Sequence, residues 1–140
     1  MAVKLKSLKA DVAREKAGDW IEAAELGEGV AFKVRGINYP EFQAKRDREM
    51  KRLAQRYGSD PVPQDEADRI QGRLLAEDIL LDWRGFDEPY TADTALATLE
   101  DPAFREVRQA IIIAASRITQ VKVEFIEEAV KNSAAPSAKS

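Results

Sequence analysis

Cysteine and histidine are both missing from the 140 residues. Their absence removes disulfides, thiol nucleophiles, thiolate or imidazole metal ligands and the imidazole general base, and with them most enzyme classes and most metal sites. A long apolar run is missing as well. The opening stretch MAVKLKSLKADVAREKAGDW alternates single apolar residues with charge, so neither a signal peptide nor a membrane span is predicted, and a cytoplasmic location is expected. Glycine and proline are sparse, at 7 and 6 residues, while 44% of the chain is hydrophobic and 34% charged. That balance belongs to a folded chain with its own core, and the length suits one domain. A formal net charge of −3 gives no overall attraction to phosphate backbones or anionic lipid, so nucleic acid and membrane are unexpected partners.

What is present orders itself along the chain. Residues 1–18, rich in Lys and Ala, are too evenly polar to pack by themselves and read as a flexible leader. Two short segments, 19–26 and 30–36, flank Gly27-Glu28-Gly29 and predict a β-hairpin. Asn38 with Glu41 three residues on, and Pro40 in the first turn, has the form of a capping box opening a helix to Tyr57. On that helix Tyr39, Phe42, Met50, Leu53 and Tyr57 share one side, and Lys45, Arg48, Arg52 and Arg56 the other. Gly58 and the Pro61-Val62-Pro63 connector end it. A central helix over 64–83 follows, with Ala67, Ile70, Leu74 and Leu81 on one side and Leu75, Ile79 and Trp83 nearly opposite, which implies packing neighbours on both flanks. Thr91 caps a short helix to Leu99, and Asp101-Pro102 opens a long one over 102–131. Phe104, Val107, Ile111, Ala114, Ile118, Val121 and Phe125 are spaced as a heptad seam in that helix, which predicts a partner helix within the chain or in a second copy, and hence self-association. Residues 132–140 are small and polar and read as a disordered tail. The expected fold is α+β and mainly α, a hairpin followed by about four helices, in one domain over 19–131.

Few side chains in this pattern point to chemistry. Asp78 and Asp82, four apart on the expected central helix, would set two carboxylates on one face for a divalent cation or a shared proton. No basic or nucleophilic group converges with them, so a solvated helix surface is the stronger reading, and neither a catalytic residue nor a cofactor is expected. Gly27-Glu28-Gly29 lacks the third glycine and the strand–helix setting of a nucleotide loop. The face Lys45, Arg48, Arg52 and Arg56 has the spacing to follow a phosphate backbone and would serve a small nucleic-acid-binding regulator. Against that, seven acidic residues between Asp60 and Asp82 face only Arg69 and Arg73, so the next helix can neutralise the stripe. Ile112, Ile113 and Val123 flank the seam, with Ile113 among polar neighbours, and are candidates for binding a partner protein.

The most informative stretch is LLDWRGFDEPYTADTALATLEDPAF, residues 80–104. It sets two aromatics around an Arg-Gly turn, then a Pro-Tyr-Thr helix entry, a short Ala/Leu helix and an Asp-Pro restart. Trp83, Gly85, Phe86, Tyr90, Asp101 and Pro102 therefore build a structural corner, with Gly85 taking a left-handed conformation that ends the preceding helix. The sequence D-W-x-G, then P-Y-T, then L-x-D-P resembles the small tail assembly chaperones of long-tailed bacteriophages and of related prophages and gene transfer agents. The likeness covers about residues 74–110. It implies a non-enzymatic morphogenesis factor of the bacterial host cytoplasm that coats the hydrophobic tape measure protein, keeps it soluble, recruits tail tube subunits and does not stay in the mature particle. The loop at Asp87-Glu88 is shorter than the family pattern.

Overall fold

The computed structural model describes residues 1–126. They divide into two units, one over 12–119 and one made of 1–11 with the stretch that begins at Gln120. Helix α1 (Val12–Ala17) leads into strands β1 (Asp19–Glu22) and β2 (Ala31–Val34), followed by helices α2 (Pro40–Tyr57) and α3 (Gln64–Leu74), strand β3 (Leu80–Arg84), and helices α4 (Ala92–Glu100) and α5 (Arg105–Arg117). The class is α+β and mainly helical, with one three-stranded antiparallel sheet in the order β1-β2-β3. No helix among the described residues is long and apolar enough to cross a membrane.

The hairpin forms where the Gly27-Glu28-Gly29 turn predicts it. Asp19 pairs with Val34 and Glu22 with Ala31, and the strand shortens because Ala23–Leu26 curl into turns closed by Leu26 N–H to Ala23 O. The residues read as a leader carry α1, which is tied to the hairpin exit by Gly36 N–H donating to Glu15 O at 2.9 Å. Glu15 itself is buried and accepts from Asn38 Nδ2 at 3.3 Å. That bond diverts the side chain expected to cap α2, whose N-terminus instead starts at Tyr39 with no side-chain cap and Pro40 in its first turn.

The largest departure from the sequence pattern lies in the expected 64–83 helix. The chain leaves α3 at Leu74, makes a π turn over Leu75–Ile79 and continues as β3. The cause is the state of β2. Phe32 and Val34 are fully buried, and a buried strand cannot leave one edge of N–H and C=O groups unpaired. β3 satisfies that edge, with Trp83 opposite Phe32 and Leu80 opposite Val34, and Leu81 is the surplus residue of a bulge. Two opposed apolar stripes are thus a helix ending in a strand. Periodicity alone does not separate these two forms over so short an apolar run.

The expected 102–131 helix is also shorter. Asp101 does cap the restart, accepting from Ala103 N–H at 2.9 Å, but the first turn is a 3₁₀ turn over Pro102–Phe104 and α5 ends at Arg117. Ser116 and Thr119 hydroxyls bond the Ile112 and Ser116 carbonyls, a competition with the helical ladder that favours an end there, and the β-branched Thr119, Val121 and Val123 follow. Of the heptad seam, Ile111, Ala114 and Ile118 are core residues, whereas Phe104 and Phe125 are 44% and 49% exposed. Phe125 pairs with Val3 in an isolated antiparallel bridge within the terminal unit, supported by Lys4 N–H to Glu124 O and Ile126 N–H to Ala2 O, both 2.8 Å. The part of that helix beyond Ile126, and the 132–140 tail, lie outside the described residues.

The core of the 12–119 unit joins Phe32 and Val34 of the sheet to Leu75, Ile79 and Leu80, to Ala95 and Leu99 of α4 and to Ile111, Ala114 and Ala115 of α5. One contact sets the spacing of α3 and α4. A Cβ on Gly72 would lie 1.6 Å from the Leu99 carbonyl oxygen, so the two backbones meet with no side chain between them.

Candidate functional site

The corner predicted from residues 80–104 comes together as a set of contacts. Trp83 is buried, donates from Nε1 to the Glu88 carbonyl at 2.9 Å, and meets Phe86 and Tyr90 edge-on with ring centroids 5.5 Å away in each case. Gly85 has φ +95°, ending a strand and not a helix as the sequence suggests, and a Cβ there would come within 2.5 Å of Gly29 O. The hairpin turn and the corner therefore touch through glycine on both sides. Thr91 Oγ1 caps α4 by accepting from Thr94 N–H at 3.0 Å. Trp83, Gly85, Tyr90 and Thr91 are thus all engaged in contacts that shape the corner.

The basic face of α2 is largely occupied by its own molecule. Lys45 Nζ sits 3.2 Å from Asp78 and 3.4 Å from Glu77 in the π turn, and Arg56 Nη1 is 3.2 Å from Glu66 of α3. Arg52 pairs with Glu49 one turn back. Burial alone would lower the Lys45 pKa, but the hydrogen bond and charge of Asp78, with Glu77 behind them, hold it above the usual lysine value. Tyr57 bonds the Glu66 carboxylate, which raises its phenol above the ordinary range. Arg48 makes no ion pair among the described residues. Asp78 and Asp82 do not share a helix face, since one lies in the π turn and the other in β3. No group of three or more carboxylates suited to a metal ion occurs among the described residues.

What the fold does create is an apolar groove between α2 and α3. It is a cavity of about 410 Å³ whose walls include Phe42, Met50 and Leu53 from α2, Ile70 and Leu74 from α3, and Ile112 from α5. Met50 is 63% exposed and lines the groove, although the helical pattern places it on the inward side of α2. The rim is charged but self-satisfied. Glu49 takes Arg73 at 3.3 Å, and Asp68 takes Arg108 at 3.4 Å and Gln64 at 2.8 Å. Arg108 is buried, and its Nη1 has no hydrogen-bond acceptor among the described residues. A groove with an apolar floor and a rim whose charges already have partners is suited to an amphipathic helix that brings an apolar stripe and little else.

Of the three candidate partner-binding residues, Ile112 lines this groove, and Ile113 is half-buried beside it in sequence without lining it. Val123 is 44% exposed and belongs to the terminal unit beyond α5. Met50, Ile70 and Leu74 line the groove with Ile112, and the signal for them was the pair of facing apolar stripes, which by pattern alone is indistinguishable from closed core.

A family model described as YdaY prophage protein matches residues 37–132. The matched stretch contains α2 to α5, the corner and every groove residue named above. No curated protein and no solved structure matches the chain.

Proposed function

We propose, from the premise that the chain belongs to the YdaY prophage protein family, that it is a non-enzymatic tail assembly chaperone acting in the cytoplasm of the host cell. Its groove between α2 and α3 holds apolar helical segments of the prophage's tape measure protein before the tail tube encloses them, and the complex recruits tail tube subunits. The observation that carries this reading is the groove itself, open at Met50 and apolar along its floor. A long helical protein with unpaired apolar stripes aggregates unless another amphipathic surface covers it, and covering it requires no cofactor and no catalytic side chain. The resemblance of the D-W-x-G, P-Y-T and L-x-D-P elements to tail assembly chaperones points the same way. The rival reading, a nucleic-acid-binding regulator using Lys45, Arg48, Arg52 and Arg56, has less support. Three of those four cations are spent on carboxylates of the same molecule.

Co-expression with the tape measure protein of the same gene cluster tests the proposal. The tape measure protein is expected to stay in the soluble fraction and to co-purify. Met50→Asp is expected to reduce the soluble yield while circular dichroism stays that of the parent, and Ile113→Asp measures the contribution of the neighbouring α5 surface. Equal precipitation with and without the partner overturns the chaperone reading, and binding to duplex DNA that falls steeply with salt would establish the regulator in its place.

A further inference from the structure

A second surface on the 12–119 unit differs from the groove in being acidic and without internal partners. A cleft of about 140 Å³ opens between the corner and the start of α5, floored by Phe86, Phe104 and Val107 and edged by Asp87 and Glu88. Asp93 edges the adjoining depression, which also contains Glu88 and Phe104. Phe104 is 44% exposed, and no cation lies within ion-pair distance of Asp87, Glu88 or Asp93 among the described residues. An exposed aromatic among unpaired carboxylates fits a segment with one apolar edge and one basic edge.

The chain contains such a segment. Leu5–Leu8 is a 3₁₀ turn with Lys9 as its C-terminal cap, and in that geometry residues three apart stand one above the other. Leu5 and Leu8 thus form one edge, with Lys6 beside it and the extended Lys9 following directly. Leu5 is 81% and Leu8 44% exposed, and the side chains of Lys6 and Lys9 have no acidic partner among the described residues. Met1–Asp11 has Asp11 as its single acid against Lys4, Lys6 and Lys9. We propose that the Leu5–Lys9 turn of one copy docks in the Phe104 cleft of a second copy, apolar edge on the aromatic floor and lysines against Asp87, Glu88 and Asp93. The contact is head-to-tail, since the two surfaces are different patches of one chain. It uses the first two seam positions, Phe104 and Val107, and none of the groove residues, so it stands whether or not the groove holds a tape measure protein.

The test uses the full chain with no residues added before Met1, in sedimentation and light scattering over a range of concentration and salt. Mass is expected to rise with concentration and to fall back as salt screens the charge pairs. Lys6→Glu with Lys9→Glu should give a monomer, and so should Phe104→Asp, each with the circular dichroism and melting temperature of the parent. Mixed one to one, these two variants should form a dimer that neither forms alone, because each retains the surface the other has lost. A parent that stays monomeric at every concentration overturns the proposal. So does association that survives in both variants, or a mixture that remains monomeric.

Discussion

Trp83 concentrates more of the fold in one side chain than any other residue of the corner. It sits opposite Phe32 in the β2–β3 register, stacks edge-on with two aromatics and holds the loop through its bond to the Glu88 carbonyl. Trp83→Ala should therefore lower stability by about 3–5 kcal/mol, the range for deleting a buried Trp, measured as a shift of the urea midpoint. Trp83→Phe should recover part of that loss, because it keeps one aromatic ring in place and gives up the N–H and the volume of the second ring. An unshifted midpoint in Trp83→Ala would mean that the side chain contributes nothing to the corner. The role of this residue was legible in the sequence, where an aromatic beside an Arg-Gly turn already implied a corner. The secondary structure on which it sits was not, because the hydrogen-bonding need of β2 decides that and lies about fifty residues upstream.

At the scale of elements, the same division recurs. Helices with a local start signal, such as α4 with Thr91 and the Asp101-Pro102 restart, appear where the sequence predicts them. An element whose extent depends on distant partners differs, as β3 does, and α5 ends early where local hydroxyl bonds compete with its ladder. The groove belongs with β3. Each of its walls is an apolar stripe visible along the chain, but the groove that Met50 lines is a property of two helices together. The short α5 gives a direct check. Ile118 is 2% exposed and Phe125 49%, so Ile118→Asp should destabilise by more than about 3 kcal/mol through a buried unpaired carboxylate. Phe125→Asp should stay within about 0.5 kcal/mol of the parent. A continuous helix through both positions would make the two losses similar in thermal denaturation.

The whole molecule carries two surfaces of opposite character, an apolar groove bounded by α2 and α3 and an acidic cleft bounded by α4 and the start of α5. Between them runs the contact in which the Leu99 carbonyl occupies the notch left by Gly72. Helices that slide past one another do so by readjusting the side chains between them, and here there is none to readjust. α4 cannot shift along α3 without striking the residues on either side of the notch. α3 and α4 accordingly keep a fixed spacing at this contact, so binding at one surface is not expected to slide one helix along the other. On the proposed function, the affinity of the groove for a tape measure segment is expected to be the same within about two-fold whether the cleft is filled or empty, measured by calorimetry on the parent and on the Lys6→Glu, Lys9→Glu variant. A larger ratio would show that the α3–α4 contact moves. On the two proposals above, an unchanged affinity would make growth of an assembly and capture of cargo independent equilibria, each set by its own concentration.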